Sequence, residues 1–306
     1  MSRHCADTGL SRRGFCAAGG QALALAGLPA AAAARSRGVP SPLEIVSSLS
    51  GLADAELIAG RPGAGMTGVA LLVDPTLAAL RRAVAAGASL ILSPETPFYA
   101  RPADPAAASG SFATMAVSAV AVLHDSPAYR AKQAFITEHD LTVYRLVPRT
   151  SPRDVSAEAV AARLGWTSHR LPGAPSIYAP PGVTVAGLIR LAHARLGASG
   201  GLRFIGDPAM PLNSVLIVPG TAEVVSTTQA LRRAQALLAG DVREWEVVTY
   251  IHDSIDAGLP KALVATGRIL SEQPFVERCA LAVRQGFPLV PLHAPPEADP
   301  FWRVQA

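Results

Sequence analysis

Six short runs dominated by apolar and β-branched residues punctuate the sequence, and they constrain the fold more than any other feature. They lie at 68–73 (GVALLV), 89–93 (SLILS), 141–147 (LTVYRLV), 202–205 (LRFI), 214–218 (SVLIV) and 261–266 (KALVAT). Runs this short, apolar on successive positions, are the pattern of strands covered on both faces. Helix signals separate them. Asp74-Pro75 reads as the cap and first turn of a helix to about residue 86, stopped by Gly87. Asp125 or Ser126 caps a second helix with Pro127 in its first turn, and 155–164 forms a third, closed by Gly165. Thr184 caps a helix to 196. Further helices are expected over 222–239, 243–257 and from Glu272 to about 284, the last ended by Gly286. Strands alternating with helices at this spacing predict the α/β class, as two α/β lobes with mixed sheets flanked by helices. The lobes are expected at 43–174 and 175–306. No period of 20–50 residues recurs, which argues against a solenoid.

The first 34 residues read as a twin-arginine signal peptide. Arg12-Arg13 is followed by Phe15, then by a weakly apolar stretch to Leu28 and small residues at 30–34. The stretch is too short, and too rich in Gly and Ala, to span a bilayer. Residues 35–42 read as a linker, and the expected location is periplasmic or extracellular, after export in the folded state. Removing the leader takes three arginines and one aspartate from 27 basic and 23 acidic residues. The remainder is close to neutral, so the high pI does not imply a nucleic-acid partner. Cys5 and Cys16 belong to the leader, which leaves Cys279 unable to form an internal disulfide and expected to be a buried small hydrophobe.

Ligands in open α/β sheets bind beyond the carboxyl ends of the strands. Two such ends carry a carboxylate. The strand at 89–93 runs into Pro94-Glu95, and the strand at 261–266 runs into Gly267-Arg268 and Glu272. A third end, after 141–147, offers Pro148-Arg149 and no acid or imidazole. No phosphate loop, nucleophile elbow or zinc-helix motif is present, and the seven histidines are dispersed. Residues 101–112, rich in Ala, Pro, Gly and Ser, read as a loop or flap.

Several ordered motifs then resemble one family. They are Asp74-Pro75-Thr76, Gly87-Ala88-Ser89-Leu90-Ile91 with Phe98-Tyr99, and Arg203-Phe204-Ile205-Gly206-Asp207-Pro208. Gly240 to Glu246 with Tyr250 and Asp253, Gly267 to Glu272, and Asp299-Pro300-Phe301-Trp302 follow in step. The chain resembles the NGG-one-interacting-factor-three-like, dinuclear metal-centre hexameric family, also called type-two GTP cyclohydrolase-like. That resemblance implies the family fold, a homo-oligomer and a site for two metals.

The family's metal ligands carry over poorly. Its His-His-Pro or His-Glu-Pro becomes Pro94-Glu95-Thr96, and its His-Asp aligns with Val147-Pro148 behind Arg145-Leu146. Its His-x-x-x-Glu becomes Arg268 with Glu272 retained. The expectation is a degenerate metal site in which Arg268 bridges Glu95 and Glu272, because a guanidinium pairs bidentately with carboxylates but cannot ligate a metal. The pocket would comprise Glu95, Arg268, Glu272, Arg145 and Arg149, with no resident cofactor and a small anion as partner. One alternative is a metal-dependent hydrolase holding a single divalent ion on Glu95, Glu272 and a donor from His124, Asp125 or His139. Another is a purely structural homo-oligomer.

Overall fold

Side chains buried on both faces decide which apolar runs become central strands. The computed structural model describes residues 39–99, 122–197, 202–298 and 300–301. The expected leader and the expected loop at 101–112 lie outside these, as do Asp299 and Trp302 of the last motif. Residues 39–306 cluster as one compact unit.

The chain enters through helix α1 (Pro42–Ser48), opened by a capping box between Ser41 and Glu44. Strand β1 (Ala53–Ala59) then pairs antiparallel with β4 (Thr142–Pro148). Strands β2 (Val69–Leu71) and β3 (Leu90–Ser93) complete a parallel set, with Leu71 opposite Leu92 and Leu92 opposite Tyr144. Every residue of β2 and β3 is buried. Helix α2 (Leu77–Ala85) joins β2 to β3, and α3 (Pro127–Glu138) precedes β4. The cap of α2 differs from the sequence expectation. Thr76, two residues after Asp74, accepts the Ala79 N–H at 3.1 Å, which leaves the Asp74 carboxylate available elsewhere. Ser126 caps α3, with Pro127 at its first position.

After α4 (Val155–Leu164), closed by Gly165 at φ 79°, the chain builds a second sheet. Short strands β5 (Ile177–Tyr178), β6 (Val183–Thr184), β7 (Arg203–Ile205) and β8 (Pro211–Leu212) flank α5 (Val185–Leu196). The sheet's core is parallel: β9 (Val215–Ala222), β10 (Ala236–Val242) and β11 (Ala262–Ala265), in the order β5-β9-β10-β11-β7. Helix α6 (Val224–Leu231) connects β9 to β10, and α7 (Thr249–Asp256) precedes β11. Thus the single helix expected over 222–239 is a helix followed by a strand. The Ala-Leu-Leu-Ala sequence has good helix propensity, but it is buried throughout, and burial on both faces selects the central strand. The helix expected over 243–257 opens instead with a π-helical turn at Glu244–Val248.

Helix α8 (Arg268–Gly286) touches β9 and β10 of the second sheet and β2 of the first. Its Phe275, Cys279 and Val283 share one core cluster with Leu71, Leu90, Leu92 and Tyr144. Cys279 is fully buried, and burial pushes its thiol up to about 12, so it packs as a small hydrophobe. A final strand, β12 (Leu292–His293), returns to pair parallel with β2.

The start of α8 lies flat on the β9–β10 pair. The register shifts between Ala239 and Asp241, and Gly240 at that shift has no room for a side chain. A Cβ there would stand 2.3 Å from both the Gly220 carbonyl and Ser271 Oγ. Gly220, at φ +69°, donates its N–H to the same Ser271 hydroxyl at 2.9 Å. Overpacking against backbone is poorly relieved, so Gly240→Ala is expected to cost about 3 kcal/mol in urea-unfolding free energy. Gly63→Ala, with nothing within 4 Å of its would-be Cβ, should leave the transition unmoved.

Candidate functional site

Parallel strands release their carboxyl ends at one edge, and here the residues that follow β2, β3 and β11 converge with Arg145 from β4. Ser93, the last residue of β3, ties two of these ends together. Its hydroxyl donates to the Val73 carbonyl at 3.2 Å and accepts the Glu95 N–H at 3.1 Å. Arg145 reaches the same turn, donating from Nε to the Pro94 carbonyl at 3.2 Å, and pairs with Glu56 directly across β1 at 3.4 Å.

Arg268 sits at the centre. Because α8 begins at Arg268, four residues before the expected start, Arg268 and Glu272 stand at i,i+4 on one helix face. The Nη1 group donates to Glu272 at 2.9 Å, and Nη2 donates to Asp74 at 2.8 Å. Burial opposes the guanidinium charge, but Glu272, Asp74 and Glu95 together outweigh it and hold the pKa above its ordinary value. The bridge expected between Glu95 and Glu272 is therefore made to Glu272 and Asp74, with Glu95 acting through its charge. Glu272 is pressed against Gly220, whose would-be Cβ lies 2.9 Å from Glu272 Oε1.

Arg149 is not drawn into this group by any described bond. It is exposed at the end of β4 and pairs with Asp54 of the edge strand β1 at 2.6 Å. His124 and His139 are exposed and stack on Tyr129 and Phe135 respectively, and Asp125 is exposed in the turn before α3.

Two further residues belong to the site and carry no signal in the sequence. Glu297, returning from the far end of the chain, accepts the Val73 N–H at 2.6 Å and the Asp74 N–H at 3.2 Å. Its own N–H donates to Gln273 of α8 at 3.2 Å. Lys132, buried on α3, places its Nζ 4.4 Å from the centroid of the Tyr99 ring. Tyr99 itself has φ 65°, in the left-handed region that non-glycine residues seldom occupy.

As placed, these side chains do not fit a dinuclear metal centre. A guanidinium cannot be a ligand, and it is bonded to two of the carboxylates that converge there. Among the described residues, no three His, Cys, Asp or Glu side chains are grouped so as to hold a metal ion.

Burial raises the Glu297 pKa more than its two backbone hydrogen bonds lower it. A carboxyl whose folded pKa lies above the unfolded value holds its proton more tightly in the native state. Its contribution to stability is complete below the unfolded carboxylate range and is lost as pH rises through the folded value. Glu297→Gln keeps an oxygen acceptor without the charge. Its stability relative to the parent chain should therefore increase from pH 4 to pH 8 in urea unfolding, with the smallest difference at the acid end.

No family model matches the sequence, and no curated protein sequence is significantly similar to it. Solved structures do share the fold. A Bacillus cereus protein related to NIF3, the abbreviation of NGG-one-interacting factor three, gives a TM-score of 0.64 at 12% identity, covering 88% of this chain and 100% of that one. Staphylococcus aureus protein SA1388 gives 0.60 at 13% identity over 87% and 100% of the two chains. A NIF3 superfamily protein from Sphaerobacter thermophilus gives 0.50 at 14% identity over 83% and 98%. The residues that alternate strand with helix here thus build a mixed α/β fold, its sheets flanked by helices, that matches the fold of NIF3-related structures.

Proposed function

We propose that this chain is an exported NIF3-like protein whose degenerate metal site uses Arg268 as its resident cation, and that it binds a small anion without metal catalysis. The observation that carries the reading is the pair of bonds from one guanidinium to Glu272 and Asp74. A guanidinium has five N–H donors. The bonds described for Arg268 and for Arg145 use only some of them, and the remainder are suited to the oxygens of a phosphate or carboxylate. Glu95, Glu272 and Arg145 are the pocket residues; Arg149 joins them only as a rim charge.

Metal content of the purified chain from residue 35 onward tests this directly. Elemental mass spectrometry after incubation with zinc, manganese or iron should find no stoichiometric metal. Arg268→His, which restores an imidazole four residues before Glu272, should raise metal retention. A stoichiometric divalent ion in the parent chain, lost in a Glu95→Ala, Glu272→Ala double variant, would instead establish the single-metal site that the hydrolase reading requires. That Glu272, Asp74 and Glu95 all act on the one guanidinium is what favours that second reading.

Export rests on the Arg12-Arg13 leader. No helix among the described residues is long and apolar enough to cross a membrane. The full chain, produced in a bacterium with twin-arginine export, should reach the periplasm. Replacing Arg12 and Arg13 with lysine should hold it in the cytoplasm.

A further inference from the structure

The chain contains only two lysines, and the fold treats them in opposite ways. Lys261 stands before β11, at the strand end away from Arg268, and its Nζ donates to the Leu231 and Ala234 carbonyls. That ammonium is held by two backbone acceptors. Lys132 is 5% exposed, and no hydrogen bond to it is found among the described residues. Its described contact is the Tyr99 ring, and the charge that acts on it is that of Asp74, the carboxylate bonded to Arg268.

An aliphatic amine set on an aromatic face, without an acceptor among the described residues and within range of the Asp74 charge, is placed as a nucleophile is placed. Burial lowers its pKa, and Asp74 only partly restores it, so a larger fraction is neutral amine near pH 7 than for a solvated lysine. Lys261 is also lowered by burial, yet its two carbonyl acceptors hold the nitrogen in place.

We propose that Lys132 is a nucleophilic amine that captures small 2-oxo acids or aldehydes as imines at the strand-end site. The nitrogen lone pair attacks the carbonyl carbon, forming the C–N bond while the C=O π pair moves to oxygen. The two protons shed by nitrogen leave with that oxygen as water, and the C=N bond remains. Nothing is oxidised or reduced, and hydrolysis reverses the step. The preference for an acid rests on the reading of Arg145 and Arg268 as an anion site; the imine does not depend on it.

The test treats the native chain with glyoxylate, and separately with acetaldehyde, each with cyanoborohydride at pH 7. Peptide mass mapping then scores Lys132 and Lys261. Glyoxylate should carboxymethylate Lys132 several-fold faster than Lys261, whose nitrogen is engaged by two carbonyl acceptors, and the preference should vanish in 8 M urea. Lys132→Arg should remove the adduct. Because that variant risks misfolding, the comparison of the two lysines in the parent chain decides. Glyoxylate reacting well ahead of acetaldehyde supports the acid as substrate, whereas equal labelling of Lys132 by both overturns only the acid. Labelling of Lys132 no faster than Lys261 overturns the imine, whatever the metal measurement finds.

Discussion

One guanidinium links the two halves of this molecule. Arg268 starts α8 directly after the second sheet, and its second hydrogen bond lands on Asp74, which follows β2 of the first. Such a pair depends on geometry more than on attraction. Desolvating a charge costs several kcal/mol, and only well-formed bonds to opposite charges offset it. Glu272 is buried, so it needs its partner; Arg268 is a quarter exposed and Asp74 a third, which softens the cost on their side. The pair therefore acts as a positional lock. Glu272 cannot move toward β9 without meeting Gly220, and Arg268 cannot leave without breaking its bonds to both carboxylates.

That lock follows from where α8 begins. A helix starting at Glu272 would put Arg268 in the preceding loop, with no fixed relation to the acid. Pro274 encourages that expectation, since proline is at home in a first turn. In the structure Pro274 is the seventh residue of the helix, where it removes a hydrogen bond to the Leu270 carbonyl. The extra first turn is secured by burial of Ile269 and Leu270 and by the Ser271 hydroxyl. That hydroxyl donates to the Arg268 carbonyl at 2.8 Å and accepts the Gly220 N–H. Two close-packed glycines, Gly220 and Gly240, make the approach possible.

This also explains how far the sequence could be read. The central strands were legible wherever apolar residues ran without interruption, at β2, β3, β9 and β11, and at β4, where Arg145 alone breaks the run. The strand β10 was not, because Ala-Leu-Leu-Ala suits a helix equally well until its burial is known. Strand β1 escaped because its Ala-Asp-Ala-Glu pattern belongs to a half-exposed edge, and β12 because two residues carry no period. At the site, Glu95, Arg268 and Glu272 were visible from their positions at strand ends. Asp74 was read as a helix cap, a role that Thr76 takes. Glu297 lies more than 220 residues from the backbone groups it binds, and nothing local marks it. Lys132 has no motif at all.

On the proposed reading a guanidinium takes the place of divalent ions, which changes the charge balance as well as the ligands. Two divalent ions bring four positive charges, and Arg268 brings one, permanently protonated. The acids around it are Asp74, Glu95 and Glu272, with Glu297 bonded to the backbone of the Asp74 turn. Arg145, on the Pro94 carbonyl beside Glu95, supplies a second positive charge, and two further shifts lower the negative charge that an incoming anion would meet. Glu297 is pushed toward its neutral form, chiefly by burial with Asp74 adding to it, and Lys132 brings a second basic group within range of Asp74. On the proposed reading these are one adjustment. A metal pair activates water by lowering its pKa, and a guanidinium does not. Any chemistry that survives here must be done by groups that can still exchange a proton near neutrality, and among the described residues of this site the lowered lysine and the raised glutamate are the two shifted toward that range.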